Sequence, residues 1–190
     1  MTKDWKKEIF TIPNLLSLFR LLLIPVYVVI YLHAETVLHH VIAAAILAIS
    51  CLTDLIDGKI ARKYNMISTL GKILDPVADK ATQFTLIICL TAKHPILWHL
   101  VALFVIKESF QFIAGLVTLH RGRMLTGALI TGKVCTTVLF VSLTILVLFP
   151  SISQTVVNII TVIDSIFMFI AFADYIRVYF GHGSQIQDFS

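Results

Sequence analysis

Residues 54–80 read DLIDGKIARKYNMISTLGKILDPVADK, and four of the chain's eleven acidic residues, Asp54, Asp57, Asp75 and Asp79, fall in that stretch. The surrounding chain is strongly apolar: 58% of its 190 residues are hydrophobic and only 14% are charged. Carboxylates close to lipid are expensive, so they mark places where something cationic or protic is handled. Their spacing says more. Asp54 and Asp57 are three apart, with Gly58 and Ala61 on nearly the same helical face, while Gly71, Asp75 and Asp79 step by four along another helix. Two helices that each offer two stacked carboxylates can close around a pair of divalent cations.

The apolar composition, carried by repeated long runs, excludes an ordinary soluble domain and points to an all-α, multi-spanning membrane protein forming a single domain over residues 1–190. Cys51, Cys89 and Cys135 all lie within apolar runs and form no CxxC pair. They read as small buried hydrophobes, not as a disulfide framework or a zinc site. The basic residues sit beside spans and form no exposed stripe, which argues against a nucleic-acid partner.

Six spans are expected at 12–32, 37–62, 70–92, 95–119, 127–149 and 154–179, each near the ~20 residues that cross the hydrocarbon. Residues 1–11, with Lys3, Trp5, Lys6, Lys7, Ile9 and Phe10, predict a short amphipathic helix on the membrane surface, and residues 180–190 a cytoplasmic tail. A secretory signal is the rival reading of this start; the five further spans and the lack of a small-residue cleavage site count against it. Lys3, Lys6, Lys7, Lys59, Arg62, Lys63, Lys72, Arg121, Arg123, Lys133 and Arg177 share one set of span ends, whereas Lys93 alone marks the opposite loops. The positive-inside rule then places both termini and the Asp-rich connection in the cytoplasm, which makes this a multi-pass protein of the cytoplasmic membrane. Asn14, Arg20, Lys107 and Lys133 are expected at the same depth as the aspartates, as parts of one polar cavity.

Three readings of the carboxylates compete. Asp54 and Asp57 can be helix-end residues paired with Lys59, Arg62 and Lys63, but this leaves Asp75 and Asp79 unexplained. A cation carrier would favour acidic residues near the midplane and an internal repeat; Asp164 fits the first condition and no repeat supports the second. A two-metal enzyme accounts for all four, since paired cations clamp an in-line displacement at phosphorus. Mg²⁺ or Mn²⁺ prefers oxygen ligands shared with substrate phosphates. Gly58 and Gly71 would leave the facing surface bare, and Arg62 would set a planar guanidinium against phosphate or base.

The full pattern, Asp54-x2-Asp57-Gly58-x2-Ala61-Arg62-x8-Gly71-x3-Asp75-x3-Asp79, resembles the signature of the CDP-alcohol phosphotransferase family at all eight positions. Ile12-Pro13-Asn14-Leu15-Leu16-Ser17-Leu18-Phe19-Arg20 and Leu74-Asp75-Pro76-Val77-Ala78-Asp79-Lys80 are similar to segments of its bacterial phosphatidylglycerophosphate synthase branch. The resemblance implies a homodimeric six-helix enzyme in which an acceptor hydroxyl attacks the β-phosphorus of CDP-diacylglycerol and CMP leaves. It implies two divalent cations, Mg²⁺ or Mn²⁺, on Asp54, Asp57, Asp75 and Asp79, with Asp79 also the general base. It further implies donor contacts from Asp54, Gly58, Ala61, Arg62 and Gly71; Asn14, Ser17 and Arg20, stepping by three along span one, are candidates to complete that site, with helix packing the plainer reading of Asn14 and Ser17.

For the acceptor, glycerol 3-phosphate requires a cationic pocket, and Lys107, Arg121, Arg123 and Lys133 are the candidates, with Arg121 read rather as a positive-inside anchor. Plain positive-inside anchoring is the alternative reading of Arg123, and pairing with Glu108 that of Lys107. Enzymes of the glycerophosphate type usually carry Arg-Glu where this chain has Lys107-Glu108. They also show a second lysine where it reads Gly132-Lys133-Val134-Cys135-Thr136. Cardiolipin synthases of the same family, which use phosphatidylglycerol, are therefore the runner-up.

Overall fold

A computed structural model describes residues 11–63, 71–120, 123–125, 129–180 and 186–188, with side chains left out at 55, 57–63, 72–73, 123–125 and 186–188. The expected surface helix over residues 1–11 lies almost wholly outside the described residues. Among the described residues, six long helices follow in order: α1 (Ile12–Leu32), α2 (Val37–Lys63), α3 (Gly71–Thr91), α4 (Trp98–His120), α5 (Ile130–Leu148) and α6 (Gln154–Phe180). A short 3-10 turn over Pro95–Leu97 leads into α4. The only described residues in strands are β1 (Arg123–Leu125) and β2 (Ile186–Asp188), which pair antiparallel with Arg123 opposite Asp188.

Among the described residues, five segments are long and apolar enough to cross a membrane: Ile12–Leu32, Val37–Asp54, Pro95–His120, Ile130–Leu148 and Gln154–Phe180. Helix α3 has the length, at 21 residues, but Lys72, Asp75, Asp79 and Lys80 crowd its first half. The expected span at 70–92, which does not meet that measure, is thus the helix whose first half supplies half of the aspartate motif.

The pattern of burial is inverted relative to a water-soluble protein. In α1, Asn14, Ser17 and Arg20 are buried, whereas Leu22 and Val29 are exposed. Outward-facing Val37, Ile130 and Phe180 continue this apolar exterior. Apolar area on this scale is unfavourable in water and neutral in lipid, which makes these helices those of a multi-pass membrane protein. Polar side chains turn inward because only there can they find partners.

The chain separates into two compact units, Met1–Cys89 with Val147–Pro150, and Leu90–Leu146 with Ser151–Ser190. In the first, α1 packs along α2, and a ring stack of Tyr27 on Tyr31 with His40 tilted against Tyr31 extends the buried stripe of α1. In the second, α4 packs on α6 through Phe110, which meets Phe172 and Tyr179 edge to face. Gly132 in α5 permits a closer approach. A Cβ there would lie 2.7 Å from the Tyr175 hydroxyl oxygen, so only glycine lets this ring sit where it does.

Candidate active site

The acidic cluster is organised from α1. Asn14, Ser17 and Arg20 recur every third residue, which puts them on one helical face, and that face is buried completely. Ser17 Oγ donates a hydrogen bond to Asp75 Oδ1 on α3. One turn deeper, Arg20 Nη1 lies 2.7 Å from Asp79 Oδ1 and 2.7 Å from Asp54 Oδ1. A single guanidinium nitrogen therefore ties α2 to α3 through α1. The two carboxylate oxygens can be no farther apart than twice that contact distance. Arg20 thus finds the anionic partners that a cation in an apolar run requires.

Exposure separates the roles. The Arg20 side chain is 2% exposed, whereas those of Asp54 and Asp79 are 40% and 48% exposed. The cation closes the buried side of the cluster and the carboxylates face the open side. Beyond Arg20, a narrow and mostly apolar cleft runs along Leu23, Ile24 and Tyr27 of α1, Leu47 and Ser50 of α2, and Thr82 of α3.

Of the signature residues, Asp54, Asp75 and Asp79 are brought together by α1, and Gly71 is buried at the first position of α3. Asp57, Gly58, Ala61 and Arg62 fall on the continuous helix α2, with Asp57 one turn beyond Asp54; their side chains lie outside the described set. Among the described residues, no three His, Cys, Asp or Glu side chains form a ready ligand set. The donor chemistry nevertheless fits a hard divalent cation, since the acidic groups gathered here are carboxylates and those of Asp54 and Asp79 are partly exposed.

The acceptor candidates belong to the second unit. Lys107 is buried and its Nζ lies 2.5 Å from Glu108 Oε1. Lys133 is exposed, and its backbone carbonyl accepts hydrogen bonds from Thr136 and Thr137 at 2.9 Å each. Arg123 occupies β1. Nearby in sequence, Thr131 Oγ1 donates to Asp174 Oδ2 at 2.6 Å, so the pairing of Asp174 is with α5. Asp164, the residue that best suits a carrier, is buried in α6 of this second unit.

Sequence reasoning treated Ser17 as a packing residue as readily as a functional one, and it missed Tyr175. The structure buries Ser17 and sets its hydroxyl against Asp75, a tie between α1 and α3. Tyr175 was signalled only by a glycine at an otherwise ordinary helical position.

Apolar helices long enough to cross a membrane, with carboxylates of two helices gathered under one arginine, define a multi-pass membrane protein with a half-exposed acidic cluster. The sequence model of the CDP-alcohol phosphatidyltransferase family matches residues 10–173, and the chain belongs to that family. It is 34% identical over 108 residues to the CDP-diacylglycerol--glycerol-3-phosphate 3-phosphatidyltransferase of Rickettsia bellii, covering 54% of this chain and 59% of that protein. It is 32% identical over 122 residues to the cardiolipin synthase (CMP-forming) of Streptomyces coelicolor, covering 63% and 57%. Identity reaches 41% over 88 residues with a cardiolipin synthase (CMP-forming) / mitochondrial hydrolase fusion protein of Schizosaccharomyces pombe, covering 46% and 14%. The matched region spans little more than half of the two bacterial relatives and a seventh of the fusion protein.

Proposed function

We propose that this chain is a divalent-metal-dependent phosphatidyltransferase that moves the phosphatidyl group of CDP-diacylglycerol to an alcohol with release of CMP. The observation that carries this reading is the Arg20 bridge between Asp54 and Asp79, which draws motif carboxylates from two helices into one half-exposed cluster. Asp54, Asp57, Asp75 and Asp79 would hold two cations, Mg²⁺ or Mn²⁺. When bound, these supply charge stabilisation to the entering and leaving oxygens.

The protein's own residues do the rest. Asp79 accepts the proton of the acceptor hydroxyl, because an alcohol scarcely ionises at neutral pH and needs a base within hydrogen-bond reach. The acceptor oxygen then bonds to the β-phosphorus as the bond to the oxygen bridging toward CMP breaks, and CMP leaves with that oxygen. Asn14, Gly58, Ala61, Arg62 and Gly71 line the place of the cytidine and diphosphate. The donor's acyl chains remain in the bilayer, which is why the site is built into membrane helices. Six spans, a cytoplasmic site, both termini on that side, a single domain over residues 1–190, a surface helix at its start and a homodimer complete the reading.

Glycerol 3-phosphate is the proposed acceptor, giving phosphatidylglycerophosphate, with Lys107, Lys133 and Arg123 as candidates for its phosphate. The name of the Rickettsia relative supports this choice. Phosphatidylglycerol is the second reading, favoured by the names of the other two relatives and by Lys107-Glu108 in place of Arg-Glu. Purified protein supplied with CDP-diacylglycerol and Mn²⁺, and in separate tubes with glycerol 3-phosphate or phosphatidylglycerol, decides between them by the lipid formed. Absence of CMP release with either acceptor, together with cation flux in liposomes free of CDP-lipid, would replace the enzyme with a carrier.

A further inference from the structure

We propose that Arg20 is a built-in counter-cation that competes with the divalent metal for Asp54 and Asp79 and so sets how tightly that pair takes up metal. This rests on the metal-dependent reading above and assigns a positioning role to a residue outside the aspartate motif. One nitrogen, Nη1, touches Oδ1 of both carboxylates at 2.7 Å, which is the place a cation shared by those two atoms would take. A metal that claimed both oxygens would have to move the guanidinium aside. A metal that took other oxygens of the same carboxylates would still bind beside a fixed positive charge. Either way the sign is the same: Arg20 weakens metal binding.

Three features make the competition permanent. A guanidinium does not lose its proton in a protein, so the charge is always present. Its side chain is 2% exposed, so water screens it little, whereas the carboxylates it holds are 40% and 48% exposed and face the incoming ion. It sits on α1 between Phe19 and Leu21, and its Nη1 reaches carboxylates on both α2 and α3, so the charge is held between the two. The alternative is a purely structural tie that holds the two carboxylates ready. Under that alternative, removing Arg20 would loosen them and weaken metal binding.

The test reads metal affinity directly. Metal-stripped full-length protein in nanodiscs is titrated with Mn²⁺, and free Mn²⁺ is followed by its six-line electron paramagnetic resonance signal. Arg20→Gln should bind Mn²⁺ roughly tenfold more tightly than wild type, the equivalent of one modest ion pair. Arg20→Lys keeps the charge and should stay within about threefold of wild type. Added guanidinium ion at low millimolar concentration should weaken Mn²⁺ binding by Arg20→Gln and leave wild type unchanged. A second measurement needs no folded neutral variant. In wild type labelled with ¹⁵N-arginine, the slowly exchanging guanidinium signal that Arg20→Lys lacks should shift on saturation with Mg²⁺. Equal or weaker Mn²⁺ binding by Arg20→Gln, or an Arg20 signal that Mg²⁺ leaves unmoved, would overturn the role. Wild type that binds no Mn²⁺ at all would instead remove the metal-dependent reading, and this inference with it.

Discussion

At the scale of single residues, the chemistry turns on which carboxylate takes the proton. Asp79→Asn keeps the size and one oxygen of the side chain but removes the base, so CMP release should fall by about 10²–10⁴-fold. The protein should still extract from membranes as a folded species. Near-normal CMP release by purified Asp79→Asn would end the general-base assignment. Ser17→Ala tests the support beneath Asp75. It removes one hydrogen bond to a charged group, worth about 1.5–3 kcal/mol. A loss of roughly tenfold or more in kcat/KM is expected, together with a lowered melting temperature, because the same hydrogen bond also ties α1 to α3. The motif aspartates and the need of Arg20 for an anion were legible in the sequence, since a charge in an apolar run is conspicuous. Which acids Arg20 would meet was not. Six aspartates and one glutamate lie on the expected spans, and only tertiary packing selects Asp54 and Asp79.

At the scale of elements, hydropathy gave the helices well because each run is long, apolar and ended by a polar or proline-bearing connection. It described α3 least well, for a physical reason. A helix that lines a site places Lys72, Asp75, Asp79 and Lys80 along its first half, and those residues dilute the signal that identifies a span. The strand pairing of Arg123–Leu125 with Ile186–Asp188 had no signal either, because three-residue strands carry too little alternation to stand out. Helix contacts made through a glycine are likewise silent in a single sequence. Gly132→Ala should push Tyr175 out of place, since the added Cβ would stand 2.7 Å from its hydroxyl oxygen and 3.1 Å from Cε2. Overpacking of this kind costs about 1–3 kcal/mol, readable as a lowered melting temperature in detergent. Tyr175→Phe removes the nearest clashing atom, so the same alanine should cost less in that background. A strictly additive double-mutant cycle would show that the contact does not limit α5 against α6.

At the scale of the whole molecule, charge placement makes a prediction about topology that the aspartate chemistry then depends on. Eleven basic residues share one set of helix ends, and Lys93 alone sits among the opposite connections. If the lopsided ends are cytoplasmic, a CDP-linked donor made in the cytoplasm reaches Asp54 and Asp79 without crossing the bilayer. The native cysteines, Cys51, Cys89 and Cys135, lie in helices and are half-buried or buried, so a cysteine introduced in a connection can be read above their background. Glu35→Cys, between α1 and α2, should react with a membrane-impermeant maleimide in intact cells. Gln185→Cys should react only after the membrane is opened. If all six helices cross, α1 carries the chain from the carboxylate side to the Glu35 side and the five others return it. An even number of crossings from a cytoplasmic start puts residue 185 back in the cytoplasm, whereas an α3 lying on the surface would leave an odd number. Labelling of Gln185→Cys from outside, with Glu35→Cys labelled too, would therefore mean that α3 does not cross. The carboxylates of α3 would then meet their substrate at the membrane surface and not within the bundle.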